Sequence, residues 1–346
     1  MCRKFMFCSL LSFLFYQVTV AGAPAETTPS KKIEHEIGIY YTVEKGDTLW
    51  SISERFFDTP LKWPDLWKDN PHISNPHQIE PGTRIRLYYE KALAQIRLVE
   101  KKKLESAQGK KPQAEAPYLL FSAIEHTGFI NTTLMDPGGV IFKAENDIEL
   151  ISTGDLVYIR KDKPENYVPG AKFTVYRIFN LRRGLQALKY NGYHYYPTGL
   201  LEIIANEPDY ATGKIIKSYR TISKADVLLP YKERSQKIMI VGSKAGIRGQ
   251  IIGSEEHELG FANHSIAFID KGSRDGIAPG QIYSLYLERD VRLEKKERKH
   301  MRLSSFDIGT LFVLHTRRST ATVLILTAQQ VISSGTKFRA QIREKR

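Results

Sequence analysis

A shift of 110 residues lays Gly154–Leu229 over His264–Arg339 without a gap. LVYIR falls on IAFID, VPGAKFTVY on APGQIYSLY, GLLEIIA on GTLFVLH, and YATGKIIKSYRTIS on TATVLILTAQQVIS. Identical pairs include Ile159/Ile269, Pro169/Pro279, Gly170/Gly280, Tyr176/Tyr286, Gly199/Gly309, Leu201/Leu311, Ala211/Ala321, Thr212/Thr322, Ile222/Ile332 and Ser223/Ser333. The identities fall at turn glycines and strand-facing apolar positions. A period of this length is too long for a solenoid unit and describes two domains in tandem. Each copy carries short runs rich in Val, Ile, Tyr, Phe and Thr between turn signals, with no helical period among them. That pattern predicts a small barrel or sandwich. Pro-Gly precedes a strand in both copies, as a type II turn requires: proline fixes φ at the second position and glycine accepts φ > 0 at the third. Segments 118–153 and 236–263 resist gapless alignment and are expected to supply the leading strands of each copy.

The N-terminus predicts the compartment. Arg3 and Lys4 precede an apolar run from Phe5 to Val20, and the small residues Ala21, Gly22, Ala23 and Ala25 follow it. This is the pattern of a cleaved secretory leader, 1–23, with cleavage between 21 and 25, and its apolar core is short for a membrane span. No other stretch reaches transmembrane length, so no membrane helix is expected in the mature chain. The chain has two cysteines, Cys2 and Cys8, both inside the leader. Cys8 precedes the apolar run, so it is not placed for lipidation. Without the leader no thiol remains to serve as nucleophile, metal ligand or disulfide partner. The formal charge is +13, and loss of Arg3 and Lys4 lowers it by two. Such a balance suits an anionic envelope setting, and export makes nucleic acid the least suitable partner.

Between leader and duplication the chain divides again. Residues 24–39 read as a polar tether and 40–88 as a compact module. Residues 89–117 read as a linker, helix-forming at first and loose through Gln108–Gln113. The two β-domains are expected over 118–234 and 235–346. Together these give an α+β multidomain chain.

Within the module, a short strand leads into Gly46-Asp47-Thr48-Leu49. Asp47 suits an N-cap, and Leu49, Ile52 and Phe56 then fall on one helical face. Trp63 and Trp67 share a face of a second helical segment, which has Pro64 in its first turn and ends at Asn70-Pro71. After the Pro81-Gly82 turn, Ile85 and Leu87 alternate with Arg84 and Arg86 in a closing strand. This order closely resembles a LysM module, a β-α-α-β unit of proteins that grip N-acetylglucosamine-containing glycans, above all peptidoglycan. The resemblance implies a shallow groove between the loop after the first strand and the loop before the last. An N-acetyl group needs backbone donors and acceptors for its amide and an apolar wall for its methyl. Carried over by motif, the groove comprises Gly46, Asp47, Thr48, Leu49, Ile73, Asn75, Pro76, His77 and Ile79. The connection Phe57–Pro64 is longer and more aromatic than in compact modules of this kind. A single shallow site implies weak binding, because tandem modules gain strength through effective concentration.

Signatures of wall enzymes are not seen. The mature chain has no cysteine nucleophile, and the nine histidines (35, 72, 77, 126, 194, 257, 264, 300, 315) are scattered rather than spaced as zinc ligands. His257 and His264 read as surface histidines, and Glu255-Glu256 as a charged turn rather than a poised carboxylate pair. Arg292–Arg302 is the densest basic run and reads as a solvated hairpin or helix. No phosphate loop or other cofactor motif appears, so neither a cofactor nor a metal is expected. The expectation is a non-catalytic, exported protein of the periplasm or wall that binds peptidoglycan or a related glycan and meets an envelope protein through its β-domains. The alternative is a structural or assembly part of a larger envelope machine tethered to the wall, with a wall hydrolase as a third reading.

Overall fold

The computed structural model describes residues 36–57, 59–87, 116–147, 149–161, 167–181, 190–288, 290–292, 300–302 and 304–340. The expected leader and almost all of the expected linker lie outside these residues. The stretch expected as tether runs to residue 39, whereas the first strand already begins at Ile37.

The N-terminal module pairs β1 (Ile37–Thr42) antiparallel with β2 (Arg84–Leu87), Ile39 opposite Leu87 and Tyr41 opposite Ile85. Helices α1 (Leu49–Phe57) and α2 (Trp63–Lys68) lie between them in sequence. Leu49, Ile52 and Phe56 are buried, as their spacing predicts, and so are Leu66, Ile85 and Leu87. Arg84 and Arg86 point outward. The sheet does not stop at two strands. On the other edge of β1 lies β3 (Tyr118–Phe121), and beyond it β11 (Lys237–Met239), giving the order β11-β3-β1-β2. Both added strands fall inside the ranges expected for the β-domains, yet they pair with the module.

The first β-domain is a closed barrel. Its strands are β5 (Gly139–Ala144), β6 (Leu156–Lys161), β7 (Lys172–Asn180), β8 (Tyr193–Asn206), β9 (Ala211–Ser218) and β10 (Val227–Pro230). They run in the order β8-β7-β10-β5-β6-β9, and a β8–β9 pairing closes the ring, with β4 (Phe129–Asn131) added against β8. The second domain is a closed barrel of β12 (Arg248–Ser254), β13 (Ile266–Ile269), β14 (Ile282–Leu287), β17 (Phe306–Thr316), β18 (Ala321–Ala328) and β19 (Lys337–Ala340). Between β14 and β17, the ends of the basic run form a small hairpin, β15 (Asp290–Arg292) against β16 (His300–Arg302).

The two barrels repeat at the 110-residue offset down to their irregularities. The bulge between Ile141 and Lys143 recurs between Ile251 and Gly253, that at Val175/Tyr176 at Leu285/Tyr286, and that between Ile203 and Ala205 between Val313 and His315. The isolated bridge Ile151–Ile222 recurs as Phe261–Ile332. Left-handed backbone recurs at Asp147/His257 and Ala225/Gly335. The equivalence therefore reaches back through β5 and β12, where the side chains have diverged too far for alignment to show it.

The three parts pack on one another. Ile39, Tyr41, Leu49, Ile52 and Leu119 share one hydrophobic core with Ile282, Phe312, Leu314, Leu324 and Leu326 of the second barrel. In that barrel Ile282, Phe312 and Leu324 form a row across three strands, Ile282 opposite Phe312 and Phe312 opposite Leu324. The equivalent row of the first barrel is Lys172, Glu202 and Lys214, in the same register. The face covered by the module is apolar, and its uncovered twin is a ladder of alternating charge. Water solvates the ladder, whereas the module removes the apolar row from water, at about 25 cal/mol per Å² of apolar surface buried.

Candidate glycan-binding site

Helix α1 is capped by Thr48 rather than Asp47. The Thr48 Oγ1 accepts from the Ser51 N–H at 3.0 Å, and the Ser51 Oγ accepts from the Thr48 N–H at 3.0 Å, a reciprocal pair that satisfies two donors at the helix start. Asp47 turns back instead. Its Oδ2 accepts from the Tyr41 hydroxyl at 2.6 Å and from the Glu44 N–H at 2.9 Å, and Arg55 reaches its Oδ1 at 3.1 Å while donating to the Tyr41 oxygen at 2.7 Å. The Asp47 side chain is only 6% exposed. Burial, together with the bond to Asp47, pushes the Tyr41 hydroxyl well above its ordinary value. The carboxylate is thus committed to fixing the loop. Gly46, exposed and at φ 92°, supplies the left-handed step that brings the chain round into α1.

The second loop is held by α2. Trp67 donates its Nε1–H to the Ile73 carbonyl at 2.7 Å, and Asn70 bridges Leu66 O, Arg86 O and Arg86 N–H with both ends of its amide. Asn75 accepts from the His77 N–H at 3.0 Å, an Asx turn, and the His77 ring lies 6.0 Å from that of Trp63.

The nine residues carried over from sequence therefore separate by role. Leu49 and Ile73 are buried in the shared core, and Ile79 packs against it. Gly46, Thr48, Asn75 and His77 are exposed, and Asp47 and Pro76 are half-buried. Leu49 anchors the first loop, and Ile73 the second, to the same core. Trp50 is half-exposed on α1. On the outward face of the sheet, Tyr40, Asp69, Asn70, His72, Arg84 and Arg86 line an open depression of about 370 Å³.

A polar cluster that sequence reasoning passed over joins the two barrels. Glu255 is buried, and its two oxygens accept from the Gly128 N–H at 3.0 Å each. His194, also buried, sets its Nε2 3.6 Å from Glu255 and its Nδ1 2.8 Å from the Nε2 of His257. Arg220 pairs with Glu256 at 2.5 Å and lies 3.8 Å from Glu255. The expected charged turn is thus half a domain joint. His257, expected at the surface, is half-buried against Phe179 and His194, whereas His264 is exposed. No spacing signal marked the cluster, because its members meet only through the barrel–barrel contact. Among the described residues no group of His, Cys, Asp or Glu is arranged to hold a metal ion.

Burial, reinforced by the neighbouring His194, pulls the His257 imidazole from 6.5 down to about 4. Desolvation first, and then the charges of Arg234 and Arg317, pull the half-buried His315 down as well. A histidine depressed in the folded state binds its proton first when unfolded, so acid favours unfolding. Stability should fall as pH drops from about 6.5 toward 4. His257→Asn, which tolerates the left-handed φ of 58°, should flatten that slope in denaturant titrations at successive pH values.

Residues 41–87 match the family model of the LysM domain. A stretch of 57 residues is 37% identical to an uncharacterized protein, YqbP, of Bacillus subtilis (strain 168). It covers 14% of this chain and 26% of that protein, so the chain spans about a quarter of the length of the relative that it matches. Among the described residues no helix is long and apolar enough to cross a membrane. The N-terminal module of this chain is a LysM domain, a member of a family that binds N-acetylglucosamine-containing glycans.

Proposed function

We propose that this is an exported, non-catalytic protein of the cell envelope whose LysM domain holds it on peptidoglycan glycan strands while its paired barrels meet a protein partner. The observation that carries the reading is the LysM domain itself, with Gly46, Thr48, Asn75 and His77 exposed on its two loops. The barrels support it by what they offer in place of chemistry: cores of Ile, Val, Leu, Phe and Tyr, and a buried polar cluster at a joint, with its carboxylate occupied by a backbone amide. In this reading Leu49, Ile73 and Ile79 form the floor behind the N-acetyl methyl. The loop backbone at Gly46–Thr48 and Asn75–His77 contacts the amide, and Asp47 and Pro76 hold those loops in shape.

All three tryptophans of the chain, Trp50, Trp63 and Trp67, lie in the LysM domain, so tryptophan fluorescence reports on it alone. Titration with N-acetylglucosamine oligomers should change that emission saturably, with weak affinity, and incubation with purified sacculi should release no muropeptides. Unchanged emission at millimolar oligomer would count against the glycan site. Released muropeptides would overturn the non-catalytic assignment.

A further inference from the structure

The open depression on the outward face of the LysM sheet borders the second loop of the domain. Two of its lining residues, Asn70 and His72, lie where the chain leaves α2 for Ile73, and two more, Arg84 and Arg86, where it returns in β2. The two ends of the loop are stapled together there. The Asn70 side chain bonds both the carbonyl and the N–H of Arg86, and the His72 Nε2 lies 3.1 Å from the Arg84 carbonyl.

The charges of the depression are not committed alike. Arg84 is held by Glu36 at 2.8 Å and lies over the Tyr40 ring at 4.5 Å, and the Tyr40 hydroxyl donates to the same Glu36 oxygen at 2.7 Å. Arg86 is exposed and gives one bond to the Ile37 carbonyl at 3.1 Å; among the described residues it pairs with no carboxylate. Half-buried Asp69 lines the same depression, and its Oδ2 has no hydrogen-bond partner. Burial first, and then the charge of Asp65, pushes the Asp69 carboxyl above its ordinary value, against the opposing charges of Arg86 and Lys68. A carboxylate and a guanidinium therefore face one depression, near enough to feel each other and not joined as an ion pair. Such a carboxylate gains from a cation brought beside it, and such a guanidinium from an anion.

We propose that this depression takes the free amino-acid end of a peptidoglycan peptide stem, its ammonium beside Asp69 and its carboxylate on Arg86, while the adjacent loops hold N-acetylglucosamine of the same strand. This rests on the glycan reading of the loops and separates the polymers that they meet. An uncross-linked diamino diacid in a stem carries ammonium and carboxylate on one carbon, whereas a chitin-like chain offers neither charge. One uncommitted anion and one uncommitted cation suit a ligand end with one of each. A second contact beside the first strengthens the grip of a single LysM domain.

Tryptophan emission of the full chain tests this with three soluble probes. These are N-acetylglucosamine oligomers, diaminopimelate-containing peptidoglycan fragments with uncross-linked stems, and the same fragments after an amidase has removed the stems. Stem-bearing fragments should bind about fivefold more tightly than stripped ones. Arg86→Gln and Asp69→Asn should each remove most of that gain, leave the affinity for oligomers and stripped fragments unchanged, and melt as the intact protein does. Acetylating the free amino groups of the stem-bearing fragments should weaken their binding to the intact protein and make no difference to Asp69→Asn. Stem-bearing and stripped fragments bound alike, or a gain that both substitutions leave intact, would overturn the proposal while oligomer binding still upheld the glycan site. Failure of all three probes to bind would overturn both.

Discussion

Phe312→Glu is expected to loosen the LysM domain from the second barrel and to lower the unfolding free energy by about 4 kcal/mol or more. Phe312 is fully buried in the core that the two share. Removing a buried phenylalanine side chain costs about 3–5 kcal/mol, and leaving an unpaired carboxylate in its place adds desolvation. That is a large fraction of the roughly 5–15 kcal/mol by which domains are stable. The substitution reproduces the residue that the first barrel has at this position, Glu202, without the flanking lysines of its ladder. Glu202→Phe, on that solvated face, is expected to change stability by about 0.5 kcal/mol or less. Denaturant titration followed by tryptophan emission, which reports only the LysM domain, should show the transition of Phe312→Glu displaced to lower denaturant. A transition at the wild-type midpoint would mean that the domain is held independently of this core.

Gly280→Ala should be the next largest loss, and its repeat partner supplies the control. Gly170 and Gly280 both follow proline in turns at φ 87° and 89°. Either alanine pays the left-handed penalty of about 1–2 kcal/mol. At Gly170 a Cβ would meet nothing within 4 Å, whereas at Gly280 it would collide with the Met239 carbonyl, at the end of β11. The collision cannot be relieved by a rotamer change, because β11 is hydrogen-bonded into the LysM sheet. Gly280→Ala should therefore cost about 3 kcal/mol or more, and Gly170→Ala about 1–2 kcal/mol, by denaturant titration of the two variants. Equal losses would contradict the close approach of β11.

The legible parts of the fold are those specified locally. The helix stripe Leu49, Ile52 and Phe56, the closing strand Ile85 and Leu87, and the Pro-Gly turns follow from neighbours in sequence. So does the duplication, which alignment traces wherever identities cluster and loses before Gly154, although the strands continue in register to Gly139 and Gly249. The joints were illegible because they depend on which surfaces meet. Tyr118–Phe121 and Lys237–Met239 read as first strands of barrels, and only the sheet shows them completing the LysM domain. Phe312 and Leu324 read as ordinary strand residues until set against Glu202 and Lys214. At the site, the loop positions followed from the motif. The division of labour did not: Asp47 is committed to Tyr41 and Arg55, and Thr48 takes the cap.

Excision of residues 40–88 would strip the cover from Ile282, Phe312 and Leu324, so loss of binding in such a truncation would not separate a missing site from a damaged barrel. The most direct measurement is co-sedimentation with purified sacculi of the intact protein and of Asn75→Ala/His77→Ala, two changes at exposed loop positions that remove the Asx turn shaping the second loop's backbone, with N-acetylglucosamine oligomers as competitor. The intact protein should pellet and be released by the oligomers, and the double variant, melting as the intact protein does, should pellet about tenfold more weakly. An intact protein that stays in the supernatant, or a pellet that neither the oligomers nor the two substitutions diminish, would contradict the account.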